Sequence, residues 1–438
     1  MNIDELKQTI RLSGIVGAGG AGFPSYAKID PHTRILILNC AECEPLICVH
    51  SNLLARYTFE ILSALRPLAE TIGAEDVIVA VKSSYTQTIA AVEKHISSFP
   101  GMRLKTLRSV YPAGDEVVLA YEAAGVVIPP GTLPVESGVT VFNTETVYNM
   151  YGALFEARPV TEKWLTIAGA VKKPVTVKAK LGTKISDLLP LAGGIICDDA
   201  AFIIGGPMMG SPAAESDAVT KTTNAVLALP KEHSLVRSGV KNPSIDLKRA
   251  ASACCQCSAC TERCPRYLLG YPIEPHRFMR AAYNRNFADT EALSNAVYCS
   301  SCGVCEMVCP QSLHPRSLIK EFKAGLAEAG FRTGARESSG ISPAREYRLA
   351  DSSRLLARLG LSPYDKEAPL SHETPAADEF KIQLAQAAAA VKIGEDVSVG
   401  QEIGLADEDK LGVPVHSPVD GIVTEVTTEY ICIKAVKR

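Results

Sequence analysis

Short, unbroken apolar runs alternate along the chain with longer segments of helical period. Arg34–Asn39 (RILILN) and Val77–Val81 (VIVAV) carry apolar residues on successive positions, which predicts strands covered on both faces. Helical stretches at Leu53–Thr71 and Thr86–Ser97 lie between and after them, so the chain to about residue 155 predicts an α/β layer fold. From Trp164 to about Leu229 the pattern changes to strands with turn residues followed by a helix, which predicts a small α+β module. A region that is helical between its cysteines begins near Lys248. Gly330–Pro343 (GFRTGARESSGISP) predicts an extended connector, and Asp365–Pro375 a polar linker. Ala389–Arg438 closes the chain with two short β-rich stretches, VKIGEDVSVGQEIG and VPVHSPVDGIVTEV, each with glycine turns.

Composition narrows the class. A chain of 438 residues exceeds what one core usually supports, and 47% hydrophobic against 21% charged residues excludes wholesale disorder. The net charge of −3 gives no reason to expect nucleic acid or an anionic membrane as a partner. No apolar run approaches the roughly 18–20 residues of a membrane span. Met1-Asn2-Ile3-Asp4-Glu5 lacks the apolar stretch of a secretory signal, so a cytoplasmic protein is expected. The final β-rich segment resembles the half-motifs of lipoyl- or biotinyl-type barrel-sandwich domains. Asp409-Lys410 lies near where such domains carry their modified lysine but lacks the surrounding context, so a docking or packing role is expected.

Cysteine is the anomaly. The chain has 14, and nine fall between Cys254 and Cys309. In a reducing compartment such clustering points to metal ligation rather than disulfides. Cys254, Cys257, Cys260 and Cys264-Pro265 follow C-x2-C-x2-C-x3-C-P, and Cys299, Cys302, Cys305 and Cys309-Pro310 repeat it 45 residues later. This is the spacing of two-cluster bacterial ferredoxins, in which the fourth thiolate comes from the other motif. The expected ligand sets are Cys254, Cys257, Cys260 with Cys309, and Cys299, Cys302, Cys305 with Cys264. Zinc ligands usually come as separated C-x2-C pairs, a poorer match. Cys255 would break the spacing and is expected to be a bystander. Cys40, Cys43, Cys48, Cys197 and Cys432 are expected to be free thiols, with Cys43 the one whose position suggests more.

Gly17-Ala18-Gly19-Gly20-Ala21-Gly22-Phe23-Pro24 is a glycine-rich loop of the kind that lets backbone N–H groups approach a phosphate. It follows no evident strand, so the dinucleotide fingerprint in its Rossmann form is not met. GAGGAGFPSYAK resembles the GRGGAGFPTGLK loop of the NADH-binding flavoprotein subunit of respiratory complex I. Asn39–Pro45 (NCAECEP), Tyr111–Leu119 (YPAGDEVVL) and Phe142–Met150 (FNTETVYNM) resemble three further segments of that subunit, in the same order. A fuller resemblance runs over nearly the whole chain to the RnfC-like proteins, in particular their cobalamin reductase branch from propanediol-utilisation microcompartments. It adds Gly205–Gly210 (GGPMMG), the following Thr220–Thr223 (TKTT), the paired cysteine motifs and a C-terminal Pro414–Val423 (PVHSPVDGIV).

That resemblance implies an α/β FMN- and NADH-binding domain at 1–158 and an α+β module of β-grasp or SLBB type at 159–240. It further implies a helical ferredoxin-like domain with two 4Fe–4S clusters at 241–330, a connector at 331–384 and a barrel-sandwich domain at 385–438. Gly17, Gly19, Gly20 and Lys28 would hold the FMN phosphate and ribityl chain, with Asn39, Asn143 and Thr146 binding the flavin from strand ends. Phe23 would stack on a ring of NADH, Glu42, Glu44 and Glu116 would line the NADH side, and Tyr111 and Gly114 would shape the pocket. Ala18 and Ala41 replace an Arg and an Asp of the complex I pattern, as in the RnfC-like branch.

The implied function is electron transfer from NADH through FMN and two 4Fe–4S clusters to a one-electron acceptor. No side-chain nucleophile or general base is expected, and His276 is expected to be structural. Cobalamin, or a corrinoid-handling protein, is the implied acceptor, although no D-x-H-x-x-G corrin motif is present. The alternatives are an RnfC-type subunit exchanging electrons with ferredoxin or a partner flavoprotein, and a wiring protein that keeps clusters without using NADH. The resemblance also implies microcompartment shell proteins as partners. Ile3–Arg11 reads either as an encapsulation helix or, preferably, as the first helix of the flavin domain.

Overall fold

Parallel pairing of the two apolar runs organises the first third of the molecule. A computed structural model describes residues 1–436 except 21, 240–241, 285–288, 333 and 408, so the expected boundary between 240 and 241 lies outside the described residues. After α1 (Ile3–Leu12) come β1 (Ile35–Cys40), α2 (Val49–Arg56), α3 (Thr58–Ile72), β2 (Asp76–Lys82), α4 (Thr86–Ile96), β3 (Met102–Leu107), β4 (Val110–Tyr111), α5 (Glu116–Ala124), β5 (Val139–Asn143) and α6 (Thr144–Glu156). Four of these strands form a parallel sheet in the order β3-β2-β1-β5.

Both faces of that sheet are covered, which is why its strands read as continuous apolar runs. Leu36, Leu38, Val79 and Val81 pack with α1, α3 and α6, while Ile37, Ile78 and Ala80 pack with α5 on the opposite face. Leu6 and Ile10 of α1 are fully buried in the first of these cores, each worth roughly 1.5–3 kcal/mol by burial. The N-terminal segment is therefore an integral helix of this domain. The expected single helix over Leu53–Thr71 is two helices, because Tyr57 leaves helical geometry (φ −120°, ψ 37°). Its ring packs 4.9 Å from Tyr148 and 6.2 Å from Trp164.

A second, mixed sheet follows. It contains β6 (Glu162–Gly169), β7 (Val175–Lys180), β8 (Ala200–Ile204), β9 (Ser211–Ala213) and β10 (Ala225–Pro230) in the order β7-β6-β10-β8-β9. Leu165, Ile167, Val177 and Val226 line its core with Ile185 and Leu188 of the short helix Ile185–Leu188. The cysteine region folds around helices Pro243–Ala253, Pro275–Tyr283 and Pro315–Glu328, whose Ala250, Phe278, Met279, Leu318 and Ile319 are buried together.

The connector crosses the surface as a packed strap. Arg336 N–H donates to the Pro130 carbonyl (2.9 Å), Ser342 N–H donates to that of Leu268 (3.0 Å), and β11 (Ala350–Asp351) pairs with β4. Two facing sheets end the chain. One is formed by β12 (Glu379–Gln383), β14 (Asp396–Val397), β17 (Gly421–Val426) and β18 (Tyr430–Ala435), the other by β13 (Ala387–Ala389), β15 (Glu402–Ala406) and β16 (Val415–His416). β12, which precedes residue 385, pairs with β18 along its length. The hairpin carrying Lys410 docks on α1, where Arg11 donates to the Asp407 carbonyl, and Lys410 itself pairs with Asp407. Among the described residues no helix is long and apolar enough to cross a membrane.

Candidate functional site

From β1 the chain moves to β2 on one side, and β5 later inserts on the other, so the strand order reverses between β1 and β5. Open parallel sheets bind ligands outside the carboxyl ends of their strands at such a point. Asn39 and Asn143 are paired partners at those two ends.

The glycine loop folds over this crevice. Gly17 N–H donates to the Phe23 carbonyl (2.8 Å) and Gly22 N–H to that of Gly17 (3.1 Å), closing a hairpin whose Ala18 N–H donates to Thr146 Oγ1 (3.1 Å). At Gly19 a Cβ would lie 1.7 Å from Asn143 Nδ2, so a side chain there would displace the Asn143 amide from the loop. Asn143 is the N-cap of α6 yet makes no capping bond, and its side chain turns to the glycine loop instead. The α6 N-terminus therefore aims its free N–H groups and the positive end of its dipole into the crevice, an environment suited to an anion.

Asn39 braces the far wall. Its Oδ1 accepts from Ala41 N–H (3.0 Å) and its Nδ2 donates to the Gly114 carbonyl (3.1 Å). Gly114 N–H in turn donates to Cys43 Sγ (2.7 Å), and a Cβ there would meet the Ala41 carbonyl at 2.4 Å. Burial pushes the Cys43 thiol up to about 11, so it serves as a protonated spacer in this wall. Lys28 closes the side, pairing with Glu116 and donating to the Val141 carbonyl (3.3 Å). Gly17, Gly19, Gly20, Lys28, Asn39, Gly114, Glu116, Asn143 and Thr146 thus gather at one place. A glycine loop whose Gly19 lies against Asn143, a helix N-terminus without a side-chain cap and a lysine at its rim fit a phosphate-bearing cofactor such as FMN.

The remaining expected residues behave differently. Phe23 is 40% exposed beside the loop, free to meet a ring. Glu42 is buried, with Oε2 accepting from Ser51 N–H (3.3 Å) at the start of α2 and burial raising its carboxyl. Glu44 lies under Gly206 and Met208, its Oε2 accepting from Met208 N–H (2.8 Å), and burial pushes it up to about 7. One oxygen of each, Oε1, is buried without a hydrogen-bond partner among the described residues. Of the three glutamates only Glu116 stands open. The covering segment is Gly205–Gly210, whose glycine-rich text was visible in the sequence but whose partner was not.

Tyr111 connects the crevice to the cysteines, its buried hydroxyl donating to the Cys302 carbonyl (2.6 Å). Asp115, the N-cap of α5, pairs with Arg266 (2.8 Å), two residues beyond Cys264. The thiols fall into two groups. Burial raises Cys305 well above the usual thiol range, and Cys299, Cys302 and Cys264 are the thiols that add to it. Burial likewise raises Cys260 to about 12, with added repulsion from Cys309, Cys254 and Cys257. Each group therefore draws its fourth member from the other motif.

The loops carrying these thiols repeat in conformation as well as sequence. Gln256 (φ 54°) and Ser258 (φ 58°) in the first correspond to Ser301 (φ 59°) and Gly303 (φ 84°) in the second. Left-handed residues between ligands turn successive thiols inward, at a cost that non-glycine residues bear only where the surroundings demand it. N–H groups point at sulfur: Ser301 to Cys299 (3.3 Å), Leu313 to Cys309 (3.4 Å) and Gln256 Nε2 to Cys254 (3.1 Å). Among the described residues no three His, Cys, Asp or Glu side chains converge on a single ion. The thiols fall in two sets of four, and the protons their burial retains are those that iron would displace. This donor set fits 4Fe–4S clusters. Cys302 and Cys305 are buried, whereas Cys257 and the bystander Cys255 are exposed. His276 hydrogen-bonds Thr261 (2.8 Å) and so braces the first loop.

Comparison with known proteins agrees with this layout. Residues 10–152 match the Nuo51 FMN-binding domain, 165–212 the SLBB domain, 253–314 a 4Fe-4S dicluster domain and 372–435 the RnfC barrel sandwich hybrid domain. The chain is 37% identical to the cobalamin reductase PduS of Salmonella typhimurium, over 99% of this chain and 97% of that protein. It is 33% identical to a subunit of the ion-translocating oxidoreductase complex of Erwinia tasmaniensis, over 60% of this chain and 32% of that one. A solved structure of an NAD+-reducing NiFe-hydrogenase aligns with a TM-score of 0.49 at 19% identity, covering 78% of this chain and 70% of the other.

Proposed function

The chain belongs to the family of the cobalamin reductases PduS, and from that premise we propose that it oxidises NADH and delivers single electrons to cobalamin. When bound, FMN exchanges the electron pair of a hydride for single electrons, and 4Fe–4S clusters conduct them one at a time. The protein's own task is to place these groups and control access to them.

Gly17, Gly19 and Gly20 receive the flavin's phosphate and ribityl chain without Cβ obstruction, and the start of α6 with Thr146 and Asn143 supplies donors. Lys28 offers the cation, with Glu116 holding it at the rim. Phe23 is the platform for the nicotinamide or adenine ring. Glu42 and Glu44 act from beneath the surface, shaping the NADH side through α2 and through Gly205–Gly210. Cys264, Cys299, Cys302 and Cys305 would hold one cluster, their loop joined to the flavin crevice by Tyr111. Cys254, Cys257, Cys260 and Cys309 hold the outer cluster, whose exposed Cys257 marks the exit.

The observation that carries this reading is the direct hydrogen bond from Tyr111, at the flavin crevice, to Cys302 in the inner thiol set. The relatives' names support cobalamin as acceptor, while a cytoplasmic place inside or at a microcompartment, in contact with its shell proteins, is supported by the sequence resemblance alone. The shorter likeness to one component of an ion-translocating complex supports a second reading, electron exchange with ferredoxin or a partner flavoprotein.

Anaerobically purified protein is mixed with NADH and then with hydroxocobalamin or oxidised ferredoxin, followed by absorbance. Flavin bleaching by NADH, with cobalamin reduced faster than ferredoxin, is expected. Ferredoxin preference establishes the second reading, and clusters without NADH-driven bleaching overturn both.

A further inference from the structure

The segment Thr220–Asn224 lies outside all four regions matched to known domains, yet it runs against the glycine loop. Thr222 Cγ2 lies 3.1 Å from where a Cβ would stand on Gly22, and Asn224 Nδ2 lies 3.9 Å from the same point on Gly20. Two alternate residues of one segment thus face two alternate residues of the loop. The segment is held firmly for this. Thr220 N–H donates to Thr223 Oγ1 (3.0 Å), and the Asn224 carbonyl accepts from Thr166 N–H (2.9 Å) at the start of β10.

The Asn224 side chain has only one orientation that satisfies its neighbours. Its Oδ1 accepts from Lys163 Nζ (2.9 Å), which also donates to the Trp164 carbonyl (2.7 Å) and pairs with Glu145. All three donors of Lys163 are engaged, and both charges of the pair are essentially fully buried. Glu145 is fixed in turn by Trp164 N–H (2.9 Å). With its oxygen committed to an ammonium, Asn224 must present its NH2 to Gly20. That NH2 meets no acceptor among the described residues, although Asn224 stands at the edge of the cradle.

We propose that Asn224, supplied by the α+β module rather than the flavin domain, donates its side-chain N–H to the phosphate end of bound FMN. The buried Lys163–Glu145 pair orients it. This rests on the FMN reading above. Glu145 is the second residue of α6, the helix whose N-terminus faces the same crevice, so one buried ion pair aligns donors from two domains on one anion. An amide held this way is a donor preorganised for phosphate, and a hydrogen bond to a charged group is worth more than a neutral one.

The test uses full-length, cluster-loaded protein stripped of flavin, with dissociation constants for FMN and for riboflavin, which lacks the phosphate, read by fluorescence quenching. Binding of FMN by the unaltered protein tests the underlying reading, and the ratios of variant to unaltered protein test the inference. Asn224→Ala is expected to weaken FMN about tenfold while riboflavin changes much less. Asn224→Asp preserves the bond to Lys163 but turns a carboxylate toward the phosphate, and is expected to weaken FMN further. Equal loss of FMN and riboflavin would indicate a merely structural role and overturn the proposal. So would unchanged FMN affinity in both variants.

Discussion

At the scale of single residues, the informative side chains are those buried with a charge or a valence to satisfy. Gly19 was legible because a glycine-rich loop is a local signal, and the structure supplies its reason in the Asn143 amide that occupies the missing side chain's place. Glu42 and Glu44 were legible as acids of a motif but not as buried ones, because what covers Glu44 is a loop more than 160 residues further along the chain. That cover has a thermodynamic consequence. Burial raises the Glu44 carboxyl from 4.5 to about 7, so the folded state binds its proton more tightly than the unfolded chain does. The folded protein therefore bears a desolvation cost above pH 7 that fades as pH falls toward 4.5, and stability from this group rises with acidification. The cost is on the order of 3 kcal/mol at its largest, the Met208 N–H having already offset part of the desolvation. Glu44→Gln is expected to be more stable than the unaltered protein at pH 8, with the gap narrowing by pH 6. Thermal unfolding of the holoprotein at the two pH values checks this, and a gap that widens on acidification would contradict it.

Elements were legible where their signal is short-ranged. Four thiolates within eleven residues, repeated, announce their chemistry because each ligand's position is set by its own loop, and Gln256/Ser301 and Ser258/Gly303 show the two loops sharing a backbone path. Parallel strands β1 and β2 were likewise readable from burial on both faces. The break between α2 and α3 was not, since Tyr57 stops the helix through contacts with Tyr148 and Trp164, residues distant in sequence. The grouping of each fourth thiol with the other motif's three gives a sharp prediction. Cys264→Ser alters the first motif, yet it is expected to remove the cluster of the second, which lies beside Tyr111. Iron content should fall from about eight to about four per chain. The surviving cluster should be the outer one, the flavin should still be bleached by NADH, and transfer to cobalamin should fail. Iron analysis with electron paramagnetic resonance of the reduced variant distinguishes this from loss of the motif's own cluster.

For the whole molecule, what local patterns could not convey is how tightly the later segments hold the first. The strap at Arg336–Ser342 and the strand β11 bind the cysteine region to the flavin domain, and Lys221 ties the barrel-sandwich domain to the segment just before the glycine loop. Lys221 Nζ donates to the Gly14 carbonyl (2.8 Å) and to the Pro414 carbonyl (3.0 Å), joining three segments whose sequence patterns are independent of one another. Burial pushes its ammonium down to about 7, and the nearby His416 is held down to about 4, chiefly by burial and then by Lys221 itself. A neutral amine has two N–H donors, which match the two carbonyls, so deprotonation removes the charge without breaking either bond. The sign follows: the unfolded chain keeps this proton up to about 10.5 while the folded one releases it near 7. Stability from Lys221 therefore rises as pH increases from 7 to 10.5, and the cost below 7 is constant. Lys221→Met removes both donors and leaves two carbonyls without partners, at about 1–3 kcal/mol each where water cannot reach them. The variant is expected to unfold at lower temperature at pH 9, with the difference from the unaltered protein shrinking at pH 7, where the buried charge offsets part of the gain. Because the lost bonds include the one to Gly14, just before the glycine loop, FMN affinity should also fall although Lys221 itself makes no claim on the flavin. A loss of stability with FMN affinity intact would mean that the barrel-sandwich domain merely packs against the loop and does not help hold it closed.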